Sequence, residues 1–301
     1  MFRCYKKIGE NRVWIKKRFY DFNTYLRNIF GCRVQKITID ANLTCPNRDG
    51  TKGFGGCIYC NKRGSGTGLG AELSVSEQIL RAKDNLKKRY KAKKFLAYFQ
   101  SYSNTYGPID KLKSLYMEAL SIDDIVGISI GTRPDCVEDG VLDYLKEVSN
   151  NYLVWLEYGL QSAHNKTLEL INRGHGIEEF IDAVKRTRQR GLNVCVHVIL
   201  GLPYETRNHM LETARFLSNL DIQGVKIHLL YIIKDTPLEK WYLSGKYNPL
   251  TREEYVDIVS HFISYLPDSV VIQRITGDPH REELVAPMWA LEKQKKYKCH
   301  T

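Results

Sequence analysis

The sequence predicts an α/β fold, a partial parallel (β/α)6 barrel with extensions at both ends. Six short apolar runs, rich in β-branched or aromatic residues, have the length and composition of buried strands. Stretches with helical spacing of apolar residues separate these runs, and strands that alternate with helices form βαβ units with parallel strands. In such a barrel the functional site lies at the carboxyl ends of the strands.

The elements follow one another along the chain in a regular order. The predicted strands are Lys36–Ala41, Phe95–Gln100, Val126–Gly131, Leu153–Gly159, Val194–Gly201 and Gly224–Ile233. The predicted helices are Ser74–Lys88, Ile109–Leu120, Val141–Ser149, Ile177–Arg190 and Glu205–Leu217. Ser74 and Glu77 have the spacing of a capping box.

Three sections are expected from this order. Residues 1–35 form a basic N-terminal extension, residues 36–234 the barrel, and residues 235–301 a C-terminal extension that packs on the barrel. A further helix and strand are predicted in the last section: Leu250–Leu266 and Val270–Ile275.

Charge and composition narrow the class of protein. The 301 residues have an ordinary globular composition and a net charge of +11, from 45 Lys and Arg against 34 Asp and Glu. No apolar run is long enough to span a bilayer and the N-terminus lacks a secretion signal, so we expect a cytoplasmic protein that does not contact a membrane. Basic clusters at residues 1–18, 81–94 and 293–298 favour a polyanionic partner such as nucleic acid, although a solvated helix face is the commoner explanation of a charge run.

Three of the eight cysteines are concentrated in one loop after the first predicted strand. Cys45, Cys57 and Cys60 are suited either to a structural zinc that takes its fourth ligand from elsewhere or to a [4Fe–4S] cluster with one open iron. Four glycines in the loop allow the backbone to wrap closely around a bulky group.

The loop resembles the cluster loop of radical S-adenosylmethionine (SAM) enzymes. Its sequence is C-P-N-R-D-G-T-K-G-F-G-G-C-I-Y-C, with C-x11-C-x2-C in place of the usual C-x3-C-x2-C. This longer spacing resembles that of the Elongator catalytic subunit and its bacterial relatives. Five further segments resemble the YhcC/YtqA-like group of radical SAM proteins, so the resemblance covers about residues 30–290: 98–106, 127–135, 155–162, 199–206 and 272–278.

The resemblance implies specific cofactors and chemistry. Cys45, Cys57 and Cys60 would hold a [4Fe–4S] cluster whose open iron binds SAM, and an electron donor such as flavodoxin or ferredoxin would reduce it. Cleavage of SAM would then give a 5′-deoxyadenosyl radical. The protein's part is to position the cofactor and exclude water.

The resemblance also implies four contacts to SAM. Tyr59 is expected against the adenine and Gln100 at the methionine moiety, although Gln100 would equally suit a buried amide bonded to backbone. Glu157, expected at the end of the fourth strand, is the candidate polar contact, with pairing to a nearby cation as the alternative. Gly201 is expected to let the adenine approach the backbone, or to be a simple turn glycine. No residue is identified as the hydrogen donor.

Four other residues near the strands are open to two interpretations each. His197 and His228 lie in apolar strands and suit either a core or a pocket position. Arg133 and Arg274 would either bind an anionic substrate or pair with carboxylates.

The leading functional interpretation is modification of the tRNA wobble uridine. Members of the YhcC/YtqA-like group are associated with conversion of 5-carboxymethylaminomethyl-uridine to 5-aminomethyl-uridine, and the basic charge favours tRNA as partner. The section after residue 234 is too short for a typical acetyltransferase domain of about 100–150 residues. The alternatives are a radical SAM enzyme acting on a small molecule or cofactor precursor, and a non-catalytic zinc protein that binds nucleic acid.

Overall fold

The computed structural model describes residues 19–64 and 72–292 in full, and the backbone of 3–8 and 11–16. The strands are β1 (Arg3–Ile8), β2 (Asn11–Lys16), β3 (Tyr20–Asp21), β4 (Val34–Ile39), β5 (Lys94–Phe99), β6 (Ile125–Thr132), β7 (Leu153–Gln161), β8 (Asn193–Leu200), β9 (Gly224–Leu229), β10 (Ile232–Ile233), β11 (Val271–Arg274) and β12 (Leu284–Ala286). The helices are α1 (Phe22–Phe30), α2 (Val75–Tyr90), α3 (Ile109–Leu120), α4 (Asp139–Val148), α5 (Asn165–Leu170), α6 (Ile177–Gln189), α7 (Arg207–Ser218), α8 (Pro237–Leu243) and α9 (Arg252–Tyr265).

One sheet of eight parallel strands forms a half-barrel. Its order is β3-β11-β9-β8-β7-β6-β5-β4, and every neighbouring pair runs parallel. The predicted fold class is therefore confirmed, with the six expected strands present as β4 to β9. The predicted run 224–233 divides into β9 and β10, because β10 leaves the main sheet and pairs antiparallel with β12.

The main core lies between the sheet and the helices on its outer face. Along each strand, apolar side chains that face this core alternate with side chains that point to the inner face of the half-barrel, since successive residues of a strand point to opposite faces. The start of α2 is set by Ser74, whose hydroxyl and Glu77 form the predicted capping box. None of the helices in the described part of the chain has the length and apolar character that crossing a bilayer requires.

An aromatic plug from α1 closes the amino end of the half-barrel. Phe22 and Tyr25 stack at 5.9 Å between ring centroids, and both meet the buried indole of Trp155 edge-on. Asp21 caps the helix through its carboxylate, and Gly31 ends it in the left-handed conformation with φ 68°. This helix was not among those expected from the sequence, although Asp21, Gly31 and the apolar spacing between them are the signals of one.

Candidate functional site

A cavity of about 300 Å³ opens at the carboxyl ends of the strands, where a parallel barrel places its functional site. The cysteine loop forms one wall, and the ends of β5 to β9 and of β11 form the others. Lining residues that bear on the chemistry are Cys45, Cys57, Tyr59, Cys60, Gln100, Glu157, Arg173, His197, His228 and Arg274. The fold therefore brings the three loop cysteines together with polar side chains from distant strands.

Tight turns shape the cysteine loop. The amide of Asp49 donates to the carbonyl of Cys45 at 3.2 Å, and that of Cys60 to the carbonyl of Cys57 at 2.9 Å. Gly56 has φ +77°, and a Cβ there would lie 2.8 Å from Nε of Arg48. Glycine is required at this position because a side chain would be strained and would collide with the guanidinium.

Hydrogen bonds attach the loop to the segment after β7. The amide of Ile58 donates to the carbonyl of Ile171 at 3.0 Å, and the side chain of Asn172 donates to the carbonyl of Gly56 at 2.8 Å. Asn47 returns a bond to the carbonyl of Asn172 at 2.5 Å. The thiols are thus held over the cavity by backbone contacts rather than left on a free loop.

Two arginines make the surroundings of the thiols electropositive. Nη1 of Arg173 lies 3.6 Å from Sγ of Cys57, while its Nη2 donates to the carbonyl of Gly159 at 2.8 Å. Burial alone would lower the pKa of Arg173, but Cys57 and Tyr59 raise it above its ordinary value. Nη2 of Arg48 donates to the carbonyl of Cys60 at 2.9 Å. Three thiols facing one cavity, balanced by two guanidinium groups, fit an anionic iron–sulfur cluster with thiolate ligands.

The thiols do not form a site for a single ion. Within residues 19–64 and 72–292, no group of three or more His, Cys, Asp or Glu side chains has the arrangement that would hold one metal ion. A tetrahedral zinc site needs four ligands around one centre. The loop supplies three cysteines, one ligand fewer than such a site needs.

The four residues expected to contact SAM differ in their position relative to the cavity. Tyr59 and Gln100 line the cavity, and burial raises the pKa of Tyr59 well above its ordinary value. Gly201 has φ +87° but does not line the cavity. Its carbonyl accepts from the hydroxyl of Tyr247 at 2.6 Å, and Ile199, two residues earlier, faces the cavity instead.

Glu157 lies in the middle of β7, not at the strand end where it was expected. The residue is 1% exposed, and its carboxylate contacts two lysines and a histidine. Lys36 donates to one oxygen at 2.5 Å, His197 lies 2.9 Å from the other, and Lys226 also donates to that second oxygen. Gln161, four residues further along β7, lies roughly 13 Å nearer the rim at about 3.3 Å per residue.

The charged groups of this network shift one another's pKa values. Burial would raise the pKa of Glu157, but Lys226, Lys36 and His197 lower it well below its ordinary value. Burial is the largest influence on Lys36 and lowers its pKa to about 8, against the opposing effect of Glu157. Burial and Lys226 lower the pKa of His197 to about 4, so its imidazole is neutral at pH 7. Lys36 and Lys226 were not expected at the site, although a lysine within an apolar strand was the available signal.

The two arginines left open by the sequence have different surroundings. Both line the cavity. The guanidinium of Arg133 is engaged, because it pairs with Asp135 at 2.8 Å and donates to the carbonyl of Arg173 at 2.7 Å. Arg274 is exposed and forms no ion pair with any described residue.

A half-barrel of parallel strands with a three-cysteine loop across its mouth defines an enzyme that binds a cofactor at the strand ends. Residues 45–217 match the model of the Radical SAM superfamily, and residues 222–299 match that of the Radical_SAM C-terminal domain. The chain belongs to the radical SAM superfamily. Members of this superfamily use a [4Fe–4S] cluster and SAM, so the predicted cofactors are confirmed.

Two relatives match this chain over most of its length, and a third matches about half of it. YtqA of Bacillus subtilis is 41% identical over 279 residues, which cover 92% of this chain and 87% of that protein. YhcC of Escherichia coli is 40% identical over 269 residues, covering 89% of this chain and 86% of that protein. The tRNA uridine(34) acetyltransferase of Methanocaldococcus infernus is 31% identical over 159 residues, which are 51% of this chain and 29% of that protein.

A solved structure shows the same fold. The archaeal Methanocaldococcus infernus Elp3 with an N-terminal deletion superposes with a TM-score of 0.66 at 19% identity. The match covers 88% of this chain, which spans 62% of that longer one.

Proposed function

We propose that the protein is a radical SAM enzyme that modifies the wobble uridine of tRNA, converting 5-carboxymethylaminomethyl-uridine to 5-aminomethyl-uridine. The observation that carries this proposal is the similarity of half of the chain to a tRNA uridine(34) acetyltransferase. The net charge of +11 supports a polyanionic substrate. YtqA and YhcC match this chain over most of their length, as the resemblance to their group predicts.

The proposed cluster ligands are Cys45, Cys57 and Cys60. When bound, the cluster and SAM supply a 5′-deoxyadenosyl radical that abstracts a hydrogen atom, with the electron coming from a donor such as flavodoxin or ferredoxin. Arg173 and Arg48 offset the negative charge of the thiolates, and Tyr59 and Gln100 are the proposed contacts to SAM.

Glu157 and Gly201 are assigned other roles in this proposal. The carboxylate of Glu157 is engaged by two lysines and a histidine, so its proposed role is to hold those bases rather than to contact SAM. Gly201 forms the turn after β8, and its carbonyl is occupied by the hydroxyl of Tyr247.

The basic cluster of α2 lies away from the cavity mouth. Gln78, at the start of α2, donates to the carbonyl of Asp40 after the carboxyl end of β4, whereas Lys93 donates to the carbonyl of Arg33 before its amino end. The helix, about 24 Å long at 1.5 Å per residue, thus carries its basic end to the opposite end of the half-barrel. The other two clusters lie outside the residues whose side chains the structure describes.

Charge reversal separates the two ends of the barrel as tRNA-docking surfaces. Lys88 and Lys93 are exposed at the amino end, and Lys62 is exposed beside the cysteine loop. Lys62→Glu is expected to weaken tRNA binding several-fold at low salt and to reduce its salt dependence, because each lost phosphate contact releases one counterion fewer. Lys88→Glu with Lys93→Glu is expected to change affinity less. The reverse order would place the docking surface at the amino end.

The direct test uses anaerobically reconstituted protein, a reductant, SAM and tRNA carrying 5-carboxymethylaminomethyl-uridine. Mass spectrometry of the nucleosides is expected to show 5-aminomethyl-uridine with wild type and with Cys32→Ala, a cysteine outside the loop. Cys57→Ala is expected to give none. Formation of 5′-deoxyadenosine with wild type while the nucleoside stays unchanged would contradict the tRNA assignment and favour a small-molecule substrate.

A further inference from the structure

The inner face of the half-barrel carries an excess of positive charge. Lys36 and Lys226 share the carboxylate of Glu157, and Arg274 faces the same cavity. Among the described residues, Glu157 is the one carboxylate in ion-pair contact with any of these three cations. The carboxylates of Asp278 and Glu283 line the same cavity, and Glu283 pairs with Arg63. With Asp278 counted as a second anion, the three cations leave a net charge of about +1 at neutral pH.

A β-bulge places Arg274 on this face. Ile272 pairs with Val225 of β9, whereas Arg274 pairs with Lys226, so β11 has one extra residue at Gln273. Without the extra residue, Arg274 would share the outer, apolar face with Ile272, because side chains alternate along a strand. The bulge instead sets Arg274 beside Lys226 on the inner face.

A hydrogen-bonding group that faces the same cavity as Arg274 also lacks a partner. Nε2 of His228 is buried and bonds to no described residue. Burial lowers the pKa of His228 well below its ordinary value, so its imidazole is neutral and donates from one nitrogen. A buried polar nitrogen without a partner is unfavourable, because nothing replaces its lost hydration. This nitrogen and the guanidinium of Arg274 face the same cavity.

We propose that Arg274 and His228 form a carboxylate-binding site, the anion subsite, which holds the carboxylate of the substrate. This rests on the proposed function, in which the substrate side chain ends in a carboxymethyl group. A guanidinium binds a carboxylate through two parallel hydrogen bonds, and the imidazole of His228 supplies a further donor when its Nε2 carries the proton.

The first test measures the subsite without turnover. Calorimetric titration of the reconstituted protein with SAM present uses N-methylglycine, which reproduces the end of the proposed side chain, and methylamine, which lacks the carboxylate. Wild type is expected to bind N-methylglycine at millimolar concentration and methylamine not at all. Arg274→Gln is expected to weaken binding about tenfold to a hundredfold, as loss of a charge-assisted hydrogen bond does. Absence of N-methylglycine binding to wild type would overturn the subsite.

A matched variant and a SAM titration identify the occupant. Arg207, which pairs with Asp257 on the surface, offers the same substitution away from the cavity. Arg207→Gln is expected to bind N-methylglycine as wild type does, and Arg274→Gln is expected to bind SAM as wild type does. If Arg274→Gln instead loses SAM binding, the carboxylate at the subsite is that of SAM, and the assignment to the substrate is overturned.

Turnover on tRNA separates this inference from the proposed function. With tRNA carrying 5-carboxymethylaminomethyl-uridine, Arg274→Gln is expected to raise KM about tenfold or more while kcat changes little, since a contact equally strong in ground and transition states affects KM. Arg274→Lys is expected to restore part of the loss. An unchanged KM with active wild type overturns the subsite alone. Wild type could instead leave the tRNA unconverted and still bind N-methylglycine in a way that depends on Arg274. That result overturns the tRNA substrate and supports the subsite.

Discussion

Replacing Glu157 by glutamine tests the interpretation of the inner-face network most sharply. The change keeps the shape of the side chain but removes the one carboxylate that Lys36, Lys226 and His197 share. A glutamine oxygen still accepts a hydrogen bond, so the lost quantity is the charge. Two lysine side chains, 18% and 7% exposed, would then be left without a counter-ion.

The magnitude follows from this burial. Breaking a buried ion pair by removing one partner costs about 3–5 kcal/mol, and the retained amide places the expected loss in free energy of unfolding near 3 kcal/mol at neutral pH. The loss should shrink as pH rises. Without Glu157 the pKa of Lys36 falls below its value of about 8, so the folded variant releases a proton that its unfolded state keeps up to about 10.5. Where the unfolded state binds more protons, stability increases with pH, by up to about 1.4 kcal/mol per unit for each proton.

Urea unfolding at about pH 7 and about pH 9 measures both effects. Glu253→Gln is the control, because Glu253 is exposed on α9. The control is expected to unfold as wild type does. A loss below about 1 kcal/mol for Glu157→Gln at neutral pH, or a loss equal at both pH values, would refute the view that the carboxylate neutralises buried lysines.

Three further predictions concern other parts of the molecule. Between pH 6.5 and about 4, His197 stays neutral in the folded state but protonates in the unfolded one. Wild type should therefore lose up to about 1.4 kcal/mol of stability per pH unit relative to His197→Gln, and parallel urea-unfolding profiles would contradict this. Gly56→Ala should lower the iron bound on reconstitution, because its Cβ meets Arg48, whereas Gly140→Ala, with its nearest contact at 3.7 Å, should bind iron as wild type does. Tyr25→Ala should reduce the free energy of unfolding by about 2 kcal/mol, less than truncation of a fully buried aromatic because Tyr25 is only partly buried, and a loss under about 1 kcal/mol would show that the aromatic plug is dispensable.

Most of the fold was accessible from the sequence because its strands are buried on both faces. Runs such as residues 194–201 are apolar apart from His197, which is typical of parallel strands, and the helices between them carry clear caps such as Ser74. β3 was not accessible, since two residues carry no periodicity. The place of β11 between β9 and β3 was not accessible either, because it depends on pairing between distant segments.

Only those residues of the site that lie close together in the sequence could be predicted. The three cysteines lie within 16 residues and were found from their spacing, and Tyr59 came with them. The network around Glu157 joins residues up to 121 positions apart, so only the folded sheet brings them together. The orientation of Arg274 depends on a bulge, which shifts side-chain alternation by one residue and leaves no sequence signal.

Iron and sulfide content together with SAM cleavage tests the central claim most directly. Anaerobically reconstituted wild type should contain about four irons per chain and, with a reductant and SAM, should form 5′-deoxyadenosine. Cys57→Ala should form none, while Cys32→Ala should behave as wild type. Zinc without iron in the wild-type protein, or equal 5′-deoxyadenosine formation by Cys57→Ala, would contradict a radical SAM site built on Cys45, Cys57 and Cys60.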